Sequence, residues 1–391
     1  MHKNRSAEQN VLDGVVGYVE AVKKKTEIEL SGSDFSEEKG ATQKTIDSLH
    51  PKRLRLLVTD IFTDTPSTNT IRVKALDGYL PPFQAGQYIN VFVEINGSPT
   101  ARPYAMSSSP TERDYYDLTV KKAHSGFVSH YLVDDLKPGQ ELTSTGPMGS
   151  FHHNPLFHGN DLVFFAGGSG IAPARSMIKH IIAKDLPHTM HIIYSNSFEE
   201  DVIFAKEIRS CAKQNHNIKL TELISRPSES YQGIGGRVTE ELVSSSLSNL
   251  SSKMFYICGP TPFNESCVEI LKNLGVKERR MLVELNGPPK KPETQAHWPE
   301  DTSIEKEVTI TVQGKGSFVA KSGEPLLNSL ERYGLSTENA CRSGECSLCR
   351  VKLISGEVFN PHESKLRKSD RKFSWIHSCV AFPTSDIEIS I

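Results

Sequence analysis

The hydrophobic pattern changes period several times along the chain. Val11, Leu12, Val15, Val16, Val19 and Val22 recur at helical spacing and lead into Lys23-Lys24-Lys25, cations that suit the negative end of a helix. This predicts a helix over 11–22 within an N-terminal extension of residues 1–50, weakened by Gly14 and Gly17. Ser31-Gly32-Ser33 and Glu37-Glu38-Lys39-Gly40 then read as solvated connection. The extension is either a docking arm or a helix packed on its neighbour. From Leu54 the pattern becomes short β-type runs, at 54–61, 70–75, 88–93, 102–106, 116–120 and 141–145, separated by Gly, Pro, Asp and Asn. Six such runs predict a small antiparallel β-barrel over 51–153. One helix is expected after Ser129, ending at Lys137-Pro138-Gly139.

Near Leu162 continuous apolar runs take over: 162–166, 191–194, 220–224 and 254–258, with helical stretches through Lys179 and over 201–211 between them. Strands buried on both faces and alternating with helices predict an α/β domain with a parallel sheet, over 154–287. Met281-Leu282-Val283-Glu284 reads as its last strand. Gly287 to Thr294 is rich in Pro and Lys and predicts an extended linker, placed at 288–303. Beyond it, a hairpin (307–312 and 316–320) and a helix (325–333) open a smaller α+β domain over 304–391. The expected fold class is therefore multidomain: a barrel, an α/β unit and an α+β unit.

Composition narrows the function classes. The 391 residues are 37% hydrophobic and 24% charged, with a net charge of −2. Nothing there favours nucleic acid as a partner. No apolar run approaches the roughly 18 residues of a membrane helix, and Met1 to Ser6 is not followed by a signal-type apolar core. Of seven cysteines, four fall into one pattern, leaving Cys211, Cys258 and Cys267. That odd remainder argues against a disulfide framework and for a reducing, cytoplasmic setting.

The four are Cys341, Cys346 and Cys349, spaced C-x4-C-x2-C, and Cys379. Such spacing suits a plant-type [2Fe–2S] cluster held by four thiolates. Ser343, Gly344 and Ser347 are small where a loop must wrap closely round sulfide. A four-cysteine zinc site is the alternative, but zinc sites usually come as two separated knuckles.

Arg102-Pro103-Tyr104-Ala105-Met106 lies on a predicted strand whose alternation sends Arg102 and Tyr104 to one face. A guanidinium there can take a phosphate, and a flat ring can cover a flavin. Gly126-Phe127-Val128-Ser129 offers a close backbone approach and a helix N-terminus, favourable for a pyrophosphate or simply a Ser cap. Gly167-Gly168-Ser169-Gly170-Ile171-Ala172-Pro173 follows a buried run and opens a helix, like a dinucleotide fingerprint with Pro173 at the third glycine's place. Cys258-Gly259-Pro260 ends a strand at the edge where open parallel sheets bind ligands, and Glu284 closes another.

These motifs, in this order, resemble the ferredoxin–NADP reductase superfamily fused to a plant-type ferredoxin domain of β-grasp fold, as in the reductase components of phenylacetyl-coenzyme A and ketosteroid oxygenases. The resemblance covers residues 52–391. It implies an FAD-binding barrel at 51–153, an NAD(P)-binding domain at 154–287 and a [2Fe–2S] domain at 304–391. Arg102 would hold the flavin phosphates and Tyr104 would stack on the isoalloxazine, helped by Pro103, Ala105 and Met106. Backbone around Val120 and Lys121, with Gly126, Val128 and Ser129, would take the rest of FAD. Gly168, Ser169, Gly170 and Pro173 would receive the nicotinamide cofactor's pyrophosphate. Tyr104, Ser169, Cys258 and Glu284 would border the reacting rings, with Gly259 and Pro260 beside them. Departures from the family pattern are Ala105 in place of Ser or Thr, Asn286 near a position often aromatic, and Phe263 where Met is frequent.

The implied activity is an NAD(P)H-dependent flavin reductase passing single electrons through the cluster to a partner metalloprotein of oxygenase type. An anaerobic metal or corrinoid protein is the alternative acceptor. A non-catalytic zinc- and nucleotide-binding sensor is the alternative of another class. After Tyr194 the sequence Ser195 to Glu200 carries no cation, and only Arg226 stands ready for a 2′-phosphate, so NADH is favoured over NADPH.

Overall fold

The protein is described by a computed structural model, covering residues 17–31, 53–95, 98–123, 127–284, 287–335, 337–361, 364 and 366–391. It divides into two compact units, 1–52 and 53–391. In the first, helix α1 spans Tyr18–Ser31. It runs through Lys23-Lys24-Lys25 instead of ending there, so the lysines lie mid-helix and Ser31 is helical. Most of the apolar stripe predicted over 11–22 lies outside the described residues.

In the second unit, β1 (Leu54–Thr65), β2 (Thr68–Ala75), β3 (Tyr88–Ile95), β4 (Ser98–Ala105), β5 (Tyr116–Lys121) and β6 (Glu141–Ser144) form one sheet in the order β4-β3-β6-β1-β2-β5. All its strand pairs are antiparallel. A bridge from Met106 to Leu118 draws the end of β4 onto β5 and curls the sheet towards closure. Alternate positions Leu56, Val58, Ile71, Val73, Ile89 and Val91 fill its interior. The expected helix begins earlier than Ser129. Helix α2 (Phe127–His130) passes into a wider turn at Tyr131–Asp135.

Strands β7 (Asp161–Gly167), β8 (Thr189–Asn196), β9 (Ile218–Ile224), β10 (Ile234–Gly235), β11 (Met254–Cys258) and β12 (Met281–Val283) make a parallel sheet ordered β10-β9-β8-β7-β11-β12. The order reverses direction between β7 and β11. Apolar clusters cover both faces, which is why β7 from Leu162 to Ala166 and all of β11 are apolar. Helices α3 (Ile171–Ala183), α4 (Ala205–Gln214), α5 (Glu240–Ser246) and α6 (Thr261–Asn273) supply the crossovers. Helix α4 starts at Ala205, four residues later than the sequence suggests, because Glu199–Asp201 makes a separate 3₁₀ turn.

The predicted linker is not extended throughout. Pro292–Thr294 forms a 3₁₀ turn, and the Trp298 ring packs on Phe359 and Phe382 while its Nε1 donates to Thr302 O at 2.8 Å. Beyond it, β13 (Glu307–Val312), β14 (Gly316–Lys321), β15 (Arg350–Ser355), β17 (Trp375–His377) and β19 (Ile387–Ser390) make a mixed sheet ordered β14-β13-β19-β15-β17. Strands β16 (Val358–Phe359) and β18 (Phe382–Pro383) pair separately. Helix α7 (Leu326–Arg332) packs Leu326 and Leu330 into this sheet, and the short α8 (Lys368–Lys372) precedes β17.

Candidate functional site

On β4, Arg102 and Tyr104 are half-buried. Arg102 Nη1 donates to Thr100 Oγ1 at 3.0 Å and to Ala101 O at 2.7 Å. Among the described residues no carboxylate stands at ion-pair distance from it. Burial, and then the neighbouring Arg342 guanidinium, push its pKa down. Burial likewise pushes the Tyr104 phenol up. A part-buried cation beside a flat ring, without a carboxylate of its own, fits a bound phosphate and an aromatic ligand. Pro103 and Ala105 share the strand, while Met106 is fully buried. Val120 is in the barrel core, and Lys121 Nζ pairs with Asp201 Oδ2 at 3.3 Å, so both can serve a ligand chiefly through backbone on the outer strand β5.

Ser129 is the third residue of α2, not its cap. Its Oγ accepts from Ala123 N at 3.1 Å, which ties the preceding loop to the helix. Val128 is buried in the barrel core. Gly126 lies outside the described residues, as does Asn286.

At the carboxyl end of β7, Gly168–Gly170 forms a tight 3₁₀ turn into α3. Gly168 has φ +54° and Ser169 is exposed. A Cβ at Gly170 would fall 1.9 Å from Cys258 O, and one at Gly259 would fall 2.5 Å from the Phe263 ring. Those two positions need glycine because the turn after β7 and the Cys258-Gly259-Pro260 turn press against each other. Phe263, on the first turn of α6, fills the space against Gly167 and Gly259. Pro173 sits in the first turn of α3, where its missing N–H costs no helical bond. Ser195, the last residue but one of β8, lies beside Gly167, and Arg226 follows β9 with its guanidinium 4.7 Å from the Phe198 ring. Glu199 Oε1 accepts from Ser228 N and Oγ at 3.0 and 2.7 Å, which lowers its pKa and keeps an anion at this rim.

The Cys258 thiol is buried, and burial together with Glu284 holds its pKa well above the ordinary value. It is a neutral thiol at physiological pH. Glu284 N donates to Ile257 O at 2.9 Å, and Asn264 Nδ2 donates to Glu284 O at 3.0 Å, so Glu284 stands next to Cys258 at the sheet's edge.

In the cysteine loop, Arg342, Gly344 and Ser347 all adopt positive φ (54°, 77° and 59°), so the chain coils tightly between the thiols. A Cβ at Gly344 would fall 2.8 Å from Val380. Cys341 Sγ accepts from Ser343 N and Cys346 N, each at 3.4 Å. Hydrogen bonds with Cys346 and Cys379 hold the Cys341 thiol far below its usual range, and Cys349 is lowered chiefly by Cys379. All four are free cysteines. The thiols are in mutual contact, Cys341 with Cys346 and Cys379, and Cys349 with Cys379. Among the described residues no three His, Cys, Asp or Glu side chains stand round a point at metal-holding geometry. The donor set nevertheless fits a cluster: four sulfurs from one loop and one strand end, with backbone N–H groups already aimed at sulfur.

Several residues that join these sites escape the sequence motifs. Tyr88 Oη on β3 donates to Glu345 Oε2 at 3.2 Å, tying the barrel to the cysteine loop. Burial, then Cys341, Glu345, Cys346 and Glu284, push the Tyr88 phenol strongly up. Arg53 Nη2 pairs with Glu338 Oε1 at 3.0 Å. Arg175 on α3 donates to Ser107 O at 3.2 Å and to Glu207 at 3.0 Å, and Ser176 Oγ donates to Ser108 O at 2.6 Å, so α3 is clamped to the barrel. Only one signal could have marked Arg175 in advance: a cation inside the apolar first turns of the predicted helix, Ile171 to Ile178.

Three family models match in the same order as the three sheets. They are an oxidoreductase FAD-binding domain at 66–153, an oxidoreductase NAD-binding domain at 164–269 and a 2Fe-2S iron-sulfur cluster binding domain at 310–384. The NADH oxidoreductase HCR of Escherichia coli (strain K12) is 30% identical over 338 residues, covering 86% of this chain and 97% of that protein. A glycine betaine monooxygenase reductase subunit of Pseudomonas aeruginosa (strain UCBPP-PA14) is 29% identical over 319 residues, covering 78% and 87%. The solved phthalate dioxygenase reductase, described as a modular structure for electron transfer from pyridine nucleotides to [2Fe-2S], shares the fold with a TM-score of 0.59 at 22% identity, over 87% of this chain and 98% of that one. This chain is an NAD(P)H-dependent flavin reductase with FAD, NAD and [2Fe–2S] domains. It belongs to the ferredoxin–NADP reductase superfamily, in the form that carries a C-terminal ferredoxin domain.

Proposed function

We propose that the chain delivers electrons from NADH, one at a time, to a separate oxygenase-type metalloenzyme in the cytoplasm. FAD, when bound, supplies the change from hydride to single-electron chemistry, and the [2Fe–2S] cluster supplies the one-electron exit. The observation that carries this reading is that the cysteine loop lies against the barrel: Tyr88 Oη on β3 donates to Glu345 Oε2, and the Arg342 guanidinium stands close enough to Arg102 on β4 to lower its pKa.

The residues divide the work. Arg102 would take the flavin phosphates, Tyr104 with the backbone of Pro103 to Met106 would hold the ring, and Val120, Lys121, Val128 and Ser129 would line the rest. Gly168, Ser169, Gly170 and Pro173 would seat the pyrophosphate of the nicotinamide cofactor. The neutral Cys258 thiol and Glu284, with Gly259 and Pro260, would bound the nicotinamide face and exclude water. Cys341, Cys346, Cys349 and Cys379 would ligate the irons. Domain limits at 51–153, 154–287 and 304–391 belong to the same proposal. The anion at Glu199 supports NADH, since a 2′-phosphate near β8 would be repelled by it unless Arg226 left the Phe198 ring. No helix among the described residues is long and apolar enough to cross a membrane.

Anaerobic titration with NADH and with NADPH, followed in the visible spectrum, tests this directly. Bleaching of flavin and cluster bands at lower NADH than NADPH is the expected result. A colourless zinc-loaded protein would refute it. Purified candidate oxygenase components, offered as the acceptor, then test the last step.

A further inference from the structure

A cavity of about 440 Å³ lies between the barrel and α3. Arg113 and Lys184 stand at its mouth, with His153, His180 and His188 further in, and among the described residues no Asp or Glu lines it. Its floor is apolar, made by Phe83, Leu162, Met177 and Ile181. The barrel supplies Phe83 and Arg113, while α3 supplies Met177, His180 and Ile181, and Lys184 caps its C-terminus.

This place is remote from the chemistry described above. The proposed nucleotide loop, Gly168–Gly170, precedes the start of α3 at the carboxyl end of β7. The cavity is lined by the last two turns of α3 and by Leu162 and His188, at the amino ends of β7 and β8. Parallel sheets bind nucleotides at the opposite edge.

The charges call for an anion. Two exposed cations and three imidazoles share one concavity, with no carboxylate among its described lining residues to offset them. His153 Nε2 is held by Gly159 O at 2.7 Å and meets His188 Nε2 at 3.3 Å, so the imidazoles are already positioned. Burial, followed by neighbouring basic groups, lowers the pKa of His180 and His188. The apolar floor, in turn, suits a hydrocarbon body. A volume of this size falls within the range of small-molecule sites.

We propose that this cavity binds a small amphipathic carboxylate, an aryl or medium-chain acid, with its head between Arg113, Lys184 and the imidazoles and its body on Met177 and Ile181. Such a ligand bridges the barrel and the nucleotide-binding domain from the sheet edge opposite the proposed nucleotide loop.

Isothermal titration of the flavin- and cluster-loaded protein with benzoate, phenylacetate, hexanoate and octanoate tests it, each acid beside its neutral amide, with inorganic phosphate as the anion lacking a body. At least one acid is expected to bind, once per chain, about tenfold or more tighter than its amide and than phosphate, and in the presence of saturating NADH. The double variant Arg113→Glu/Lys184→Glu, both at exposed positions, is expected to lose about tenfold or more in that affinity while keeping its NADH-driven ferricyanide reduction. Failure of all four acids, equal binding of acid and amide, equal binding of phosphate, displacement by NADH, or unchanged affinity in the double variant would each overturn the proposal.

Discussion

The cysteine loop and the nucleotide loop are both tight, glycine-bearing turns, yet they are specified in opposite ways. In the loop from Cys341 to Cys349 the proposed chemistry sits in side chains. Backbone conformation brings the loop's three sulfurs together and aims N–H groups at Cys341, and even Arg342 and Ser347 are driven into the left-handed region to do so. In the loop from Gly167 to Gly170 the expected chemistry sits in the backbone, and the glycines are required by what presses on them: Cys258 O lies 1.9 Å from where a Gly170 Cβ would be. Side-chain chemistry tolerates a changed neighbour and fails when a thiol is lost. Backbone chemistry tolerates a changed side chain and fails when a methyl group is added.

The largest effect should come from removing a sulfur. Cys346→Ala is expected to abolish the cluster's visible bands and to drop electron delivery to a protein acceptor to background. Flavin reduction by NADH in stopped flow should continue. Simultaneous loss of flavin reduction would break the comparison, since the cysteine loop would then be structural for the whole chain.

Next in size is Gly170→Ala. Overpacking against Cys258 O should cost about 1–3 kcal/mol, visible as a lowered melting temperature, together with weaker NADH binding. An unaltered KM for NADH would mean that the two turns separate freely and that their contact has no role in the site.

Tyr88→Phe removes the hydrogen bond to Glu345 without creating a void. The loss is expected to be about 0.5–1.5 kcal/mol of docking free energy. It should appear as slower electron transfer from flavin to cluster in single-turnover experiments, with the rate of flavin reduction unchanged. An identical transfer rate would show that the barrel does not hold the cysteine loop through this contact.

The smallest effect concerns Cys258. Its folded-state pKa is raised by burial and by Glu284 above the ordinary value of 9.0. As pH climbs through about 9, the unfolded chain releases this proton while the folded chain keeps it, so stability falls with rising pH in that window. Cys258→Ala should flatten the alkaline limb of a urea-melt pH profile by a fraction of its slope. Equal slopes would indicate that the thiol ionises normally in the folded protein.

Much of this protein is legible before any coordinates are considered, for particular reasons. The strands β7 and β11 announce themselves because a strand buried on both faces must be apolar throughout. The barrel strands are legible from alternation, and the four cysteines from spacing. Helix limits are less so. Ser129 looks like a cap but lies inside α2, because its hydroxyl is taken by Ala123 N. The lysines at 23–25 look like a helix end but are passed over, since α1 continues to Ser31. The Pro-rich stretch after Gly287 looks extended, yet Trp298 finds Phe359 and Phe382 to pack on.

What the sequence determined alone was therefore the set of modules and the donor atoms each carries, because thiol spacing, strand period and glycine runs are local properties. What only the tertiary structure decided is which modules touch and where. Arg175 reaching Ser107, Tyr88 reaching Glu345 and the basic cavity beside α3 each join residues more than 30 positions apart. A hydrogen bond or a shared cavity is fixed by the packing of whole sheets and helices, and no local pattern in the chain records its partner.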